Sequence, residues 1–235
     1  MKFPTLLGLI DRRILINFTA NPEDVARILP APFHPKVYKG KAIVGICLIR
    51  LKNIRPKGLP GFVGISSENG AHRIAVEWDE NGITKEGVFI PRRDTSLRLN
   101  AFVGGKFFPG KHYLAKFNVQ ETDLDYHIDF TSSDGARIAI DAREGENFDP
   151  SSLFETLENV SGFFERGAIG YSPNSTSFDG MRLDINNWKV KPLDVTAVKS
   201  SFFENETIFP KGSVTFDNAL LMTKVTSEWR SIADK

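Results

Sequence analysis

Arg92-Arg93-Asp94-Thr95-Ser96 sets two guanidiniums beside what reads as a helix start, with Asp94 as its N-cap. Free N–H groups at a helix start, the helix dipole and forked arginine donors together suit a carboxylate or a phosphate. The same arginines could instead pair with Glu77 or Glu86 across a hairpin, which would leave nothing for a ligand. Glu68, His72 and Glu77 supply acid–base groups beside that hairpin. His72 and Arg73 are neighbours on a strand and point to opposite faces, so at most one of them enters a shared cavity. His34 and His127 stand alone and read as surface residues. A metal site needs three converging ligands, and four scattered histidines with one cysteine do not offer them, so neither metal nor cofactor is expected. Cys47, inside an apolar run, reads as an inert core thiol. The chain carries no Gly-x-Ser-x-Gly elbow, P-loop or dinucleotide fingerprint.

The elements that must position these groups are mostly strands. Arg12–Ala20 is apolar and β-branched, and Asn21-Pro22-Glu23-Asp24 then starts a short helix to Leu29 that Pro30 and Pro32 stop. Ala42–Leu51 is apolar on both faces and reads as a central strand. Residues 53–70, rich in Gly and Pro, read as a long irregular loop. Asn81-Gly82 joins the strands Ala71–Trp78 and Thr84–Ile90 as a hairpin. Tyr113–Val119, Leu124–Phe130 and Ala136–Ala142 alternate as half-buried antiparallel strands. Helices are expected over Asp94–Val103 and Pro150–Arg166, and residues 181–230 read mainly as strands. The fold class is therefore α+β, mainly antiparallel β, as a single domain over 1–235 with two or three helices. Phe89, Phe117 and Phe130 are expected to share one continuous core.

With 235 residues, 30 Lys+Arg against 29 Asp+Glu and a net charge of +1, the chain has no general attraction for nucleic acid or anionic lipid. No apolar run approaches the roughly 20 residues that cross a bilayer. The N-terminal stretch is too short, and lacks a small-residue cleavage site, for a signal peptide. The default is a soluble cytoplasmic protein. Nineteen Phe against four Tyr and three Trp suggest a dry core or lined cavity rather than a base-stacking platform.

Three stretches carry a family likeness. They are Ser67–Trp78; Gly87–Asn100 running into Gly104–His112; and Phe163–Gly167 with Gly170-Tyr171-Ser172 and Phe209-Pro210-Lys211-Gly212. With the Asn21-Pro22 helix start and the Ala42–Leu51 strand, they resemble the YqjF-like domain-of-unknown-function family, within the acetoacetate decarboxylase-like superfamily. The resemblance covers nearly the whole chain and implies a curved, barrel-like antiparallel sheet around an apolar cavity.

It does not hand over an activity. The decarboxylases attack a ketone with the first of two adjacent lysines, in a motif that aligns with Gly105-Lys106 and Gly110 of this chain. Tyr113 and Leu114 then stand at the two lysine positions. Lys111, two residues earlier, is the displaced candidate for a Schiff-base lysine, with Arg92, Arg93 or protonated His112 as its cationic neighbour. The leading expectation is a small-molecule-binding protein whose cavity takes a keto-acid-like carboxylate. Its ligand residues are drawn from Glu68, His72, Glu77, Arg92, Arg93, His112 and Tyr113. A lyase using Lys111, or a self-associating structural protein, are the alternatives, and homo-oligomerisation is left open.

Overall fold

A computed structural model describes residues 3–98, 108–174 and 176–232. Its elements run β1 (Leu6–Ala20), α1 (Pro22–Ile28), β2 (His34–Pro35), β3 (Val37–Tyr38), β4 (Lys41–Pro56), β5 (Ile65–Glu80) and β6 (Ile83–Thr95). After them come β7 (His112–Glu121), β8 (Asp125–Ser132), β9 (Arg137–Glu144), α2 (Leu157–Arg166), β10 (Ile169–Pro173), β11 (Phe178–Ile185), β12 (Lys191–Ser200) and β13 (Val214–Ile232). One 13-stranded mixed sheet takes in every strand.

Five long strands, in the order β13-β1-β4-β5-β6, form a continuous antiparallel wall. Each outer strand of the wall divides its free edge between two partners. On β6, Val88 and Phe89 pair in parallel with β10, while Arg93–Thr95 pair in parallel with β7. On β13, residues 227–232 pair with β11, while residues 219–221 pair with β12. Two rings of strands therefore share the wall. One closes through β10-β11, the other through β7-β8-β9-β12.

The period of two in the wall strands sends alternate residues into the two rings. Ile14, Ile16, Ile46, Leu48 and Ile74 pack with Ile128, Phe130 and Ile140 on the side of the larger ring. Leu15, Cys47, Leu51 and Ala75 pack with Met181, Trp229 and the buried face of α2 on the other side. Phe89 and Phe130, with a partly buried Phe117 packed against them, share the first cluster as expected, while the molecule as a whole has two clusters on opposite faces of the same strands. They are drawn from the same wall strands, with no division near residues 146–151.

Several element boundaries differ from the sequence reading. The 53–70 segment is not a long loop. β4 runs on to Pro56 through a left-handed Asn53, β5 begins at Ile65, and a single 3-10 turn over Gly61–Val63 lies between them. Helix α2 starts at Leu157, capped by Thr156, whose hydroxyl accepts from the Asn159 amide, and not at Pro150. Ahead of it the Asp149 carboxylate accepts from the Ser151 amide and Glu155 is left-handed, which turns the chain before the helix can start. Asp94 is no helix cap. It lies in β6, fully buried, and the remainder of the expected helix, residues 99–103, falls outside the described residues. The Asn21 cap, Pro22 and the Asn81-Gly82 turn form as the sequence predicts. Among the described residues no helix is long and apolar enough to cross a membrane.

Candidate functional site

The smaller ring encloses a cavity of about 310 Å³ between the wall, β10-β11 and the C-terminal half of α2. Leu15, Ile49, Phe108, Phe164, Trp188 and Trp229 give it apolar sides. Its wall face carries a row of polar groups set by strand register. Leu15 lies opposite Cys47, Cys47 opposite Ala71, and Ala71 opposite Arg93. Arg13 and Arg73 stand two residues along from Leu15 and Ala71, on the same face.

Arg73 is 4% exposed, and no carboxylate pairs with it among the described residues. One of its terminal nitrogens donates to the Asn17 side-chain oxygen, and its guanidinium lies 4.3 Å from the Phe164 ring centre. Its Nε–H is buried with no acceptor. Asn17 Nδ2 in turn donates to Asn218 Oδ1 at 2.6 Å, and Asn218 Nδ2 donates to Asp217 at 2.6 Å. A chain of amides thus holds the Arg73 head in place without neutralising it. Gly45 makes room for that head. A Cβ there would lie 2.4 Å from the Ile16 carbonyl oxygen and 3.2 Å from Arg73 Nη2.

Arg93 donates from Nε to Ser172 Oγ at 3.2 Å, and its Nη2 is buried with no partner. Arg13 donates from Nε to Cys47 Sγ at 3.3 Å. Burial pushes Arg73 down to about 9, with Arg13 acting the same way and Cys47 against it. Burial brings Arg93 down to about 10, again opposed by Cys47. Both stay protonated at neutral pH. His112 also lines the cavity, and burial first, then Arg93, push it down to about 4 despite its bond to the Gly110 carbonyl. The ring is therefore neutral. Its Nδ1 donates to that carbonyl at 3.2 Å, leaving Nε2 as the acceptor.

An uncompensated buried charge costs several kcal/mol. Arg73 is buried and Arg93 partly buried at one cavity, and neither is paired with a carboxylate there, although Asp94, Glu165 and Asp184 also line it; the two guanidiniums are placed to receive a negative charge. With apolar sides and about 310 Å³ of space, the arrangement can hold one small organic anion.

Of the residues singled out from sequence, Arg93 and His112 line this cavity, and they are register partners between β6 and β7. Arg92 does not. It is bidentate to Asp94, at 3.0 and 2.7 Å, bidentate to Asp134, at 2.7 Å twice, and covers the Tyr113 ring at 4.1 Å. Neither arginine pairs with Glu77 or Glu86; Glu86 bonds Lys36 and Arg166. Glu68 bridges Arg12 and Arg50 in a charge network with Glu121. Glu77 is partly buried opposite His34 and Glu86. His72 faces the other ring, against Phe202 and Phe203, with both ring nitrogens unpartnered. Lys111 is exposed, its Nζ 4.7 Å from the Tyr113 ring centre. The Gly105-Lys106 part of the decarboxylase motif falls outside the described residues.

Of His72 and Arg73, the two strand neighbours of which one at most was expected in the cavity, it is Arg73 that lines it; sequence reasoning passed over Arg13 and the Asn17–Asn218 pair. Their signal was a polar residue at a position where a strand is otherwise apolar on both faces, as with Asn17 between Ile16 and Phe18. Among the described residues no cluster of His, Cys, Asp and Glu could hold a metal.

The model of a family designated DUF2071, described as "Uncharacterized conserved protein (COG2071)", matches residues 10–220. No curated protein matches the chain. Among solved structures, acetoacetate decarboxylase from Legionella pneumophila subsp. pneumophila str. Philadelphia 1 is similar over 99% of this chain and 88% of its own, with 14% identity and a TM-score of 0.61. An acetoacetate decarboxylase-like enzyme from Sphingomonas wittichii RW1 is similar over 100% and 93%, with 9% identity and a TM-score of 0.58. The enduracididine biosynthesis enzyme MppR, complexed with the condensation product of pyruvate and imidazole 4-carboxaldehyde, is similar over 100% and 89%, with 7% identity and a TM-score of 0.58. At these identities the likeness is one of fold, and the fold is acetoacetate decarboxylase-like.

Proposed function

The chain belongs to the DUF2071 family, with an acetoacetate decarboxylase-like fold, and we propose that it binds a small carboxylate in the cavity of its smaller ring. Arg73 and Arg93 grip the carboxylate, Arg13 adds positive potential, and the aromatic sides take the apolar remainder. The observation that carries this reading is the buried, unanswered pair Arg73 Nε and Arg93 Nη2 at one cavity. A carboxylate would supply the acceptors both lack, with charge-assisted bonds roughly twice as strong as neutral ones. The pyruvate-derived ligand of the MppR structure fits the same chemical class. The protein works in the cytoplasm, where its single thiol stays reduced.

The test is thermal unfolding with pyruvate, acetoacetate and the neutral amide of each. A ligand present at 100 times its Kd adds about 2.7 kcal/mol of stability. The acids raise the melting temperature of the wild type, and the amides and the Arg93→Gln variant show no such rise. Equal responses to acid and amide, or none at all, would contradict the reading.

A further inference from the structure

We propose that Cys47 is a nucleophile of this cavity, and that it captures the carbonyl carbon of a small 2-oxo carboxylate held on Arg73 and Arg93. The inference rests on the carboxylate-binding reading. Cys47 is the one cysteine of the chain, and it lines the cavity on the wall face between Leu15 and Ala71. Among the described residues no lysine, serine, threonine or tyrosine lines that space. The thiol stands where an attacking group is needed and no amine or hydroxyl competes.

Cys47 is 8% exposed, and cations surround its sulfur. Arg13 Nε–H is directed at the sulfur at 3.3 Å, and Cys47 is within electrostatic reach of both Arg73 and Arg93. Electropositive settings of this kind distinguish reactive cysteines from inert ones. A carboxylate on the unpartnered Arg73 Nε and Arg93 Nη2 would sit beside the sulfur, so the reachable carbon is the one next to the carboxylate. In a 2-oxo acid that carbon is an electrophilic ketone. The sulfur forms a C–S bond to it, the carbonyl π bond opens onto oxygen, and the thiol proton ends on that oxygen. The product is a thiohemiketal, formed without oxidant, leaving group or cofactor.

The experiment follows pyruvate, isotopically labelled at its carbonyl carbon, by carbon NMR on the full chain. The wild type should show a protein-bound signal in the tetrahedral carbon range that is absent from Cys47→Ser and from Cys47→Ala. Alkylation gives an independent readout, because Cys47 is the one cysteine and its adduct is located by peptide mass spectrometry. Iodoacetate should modify the wild type at least about tenfold faster than neutral iodoacetamide, through attraction to the guanidiniums. Pyruvate should slow it, and Arg93→Gln should lose the preference. If pyruvate raises the melting temperature of wild type and Cys47→Ser alike, with no tetrahedral signal, the thiol proposal fails and the binding reading stands. An alkylation rate indifferent to reagent charge also overturns the proposal. If pyruvate stabilises neither protein, the binding reading fails and takes this proposal with it.

Discussion

Two adjacent arginines of β6 show how a single residue step separates structure from function. Arg92 points to the larger ring, where Asp94 and Asp134 saturate it; Arg93 points to the cavity with an N–H to spare. Removing the first should therefore harm stability, because Asp94 is fully buried and Arg92 is its ion-pair partner. Burial already pushes the Asp94 carboxyl up, and Arg92 and Ser132 hold it down. Arg92→Ala is expected to cost about 3–5 kcal/mol, the usual loss on breaking a buried pair, in denaturant unfolding. His72 makes a separate prediction. Burial, and then Arg92, push its ring down to about 3, so the folded protein holds it neutral. Between about pH 6.5 and 3 the unfolded chain binds this proton and the folded chain does not, so stability falls as the pH drops. The slope is about 1.4 kcal/mol per pH unit for each such histidine, and His112 adds its own down to about pH 4. Urea unfolding of His72→Phe across that range should show a slope lower by about 1.4 kcal/mol per pH unit than that of the wild type; an unchanged slope would rule out the buried, neutral ring.

At the scale of elements, the sequence shows what a strand is more readily than what its edge pairs with. Alternation and turn residues identify β7, β8, β9, the β5–β6 hairpin and α1 well. The Gly and Pro residues of 53–70 pointed to a loop, yet they are compatible with strand ends and a bulge, and burial of Leu51 and Ile54 keeps β4 extended. The split pairing of β6 and β13, which creates the cavity, depends on contacts between residues 19 to 82 apart in sequence, which no local pattern encodes. Half of the candidate site was legible for the same reason. Arg93 and His112 stand out in a charged stretch, whereas Arg13 and Arg73 acquire meaning only when β1, β4 and β5 lie side by side. Gly45 is the element-level control on that assembly. Its φ is ordinary, and space alone demands glycine there, since an added Cβ meets the Ile16 carbonyl oxygen at 2.4 Å. Gly45→Val should part β4 from β1, displace the Arg73 head, and cost 1–3 kcal/mol or more as an overpacked site, by roughly the usual range. A variant with wild-type stability and ligand response would contradict this packing.

Over the whole molecule, one wall serves two rings with different contents. The larger holds apolar side chains, His72 and the paired Arg92–Asp94, while the smaller keeps a cavity at which Arg73 and Arg93 have no carboxylate partner. The fold is shared with decarboxylases, but the charge pattern differs from what amine catalysis needs. An ordinary lysine near 10.4 is almost wholly protonated at pH 7 unless a dry pocket or a cation lowers it. Lys111 stands exposed over Tyr113, outside the cavity. Carbon dioxide release from acetoacetate should accordingly stay at background for wild type and Lys111→Ala alike, and robust turnover lost in that variant would reverse the assignment. A crystal structure with pyruvate tests most directly whether the smaller ring holds a carboxylate on Arg73 and Arg93. The expected result is a carboxylate within about 2.7–2.9 Å of both Arg73 Nε and Arg93 Nη2. Pyruvate bound away from both guanidiniums, or a cavity without ligand at saturating concentration, would contradict it.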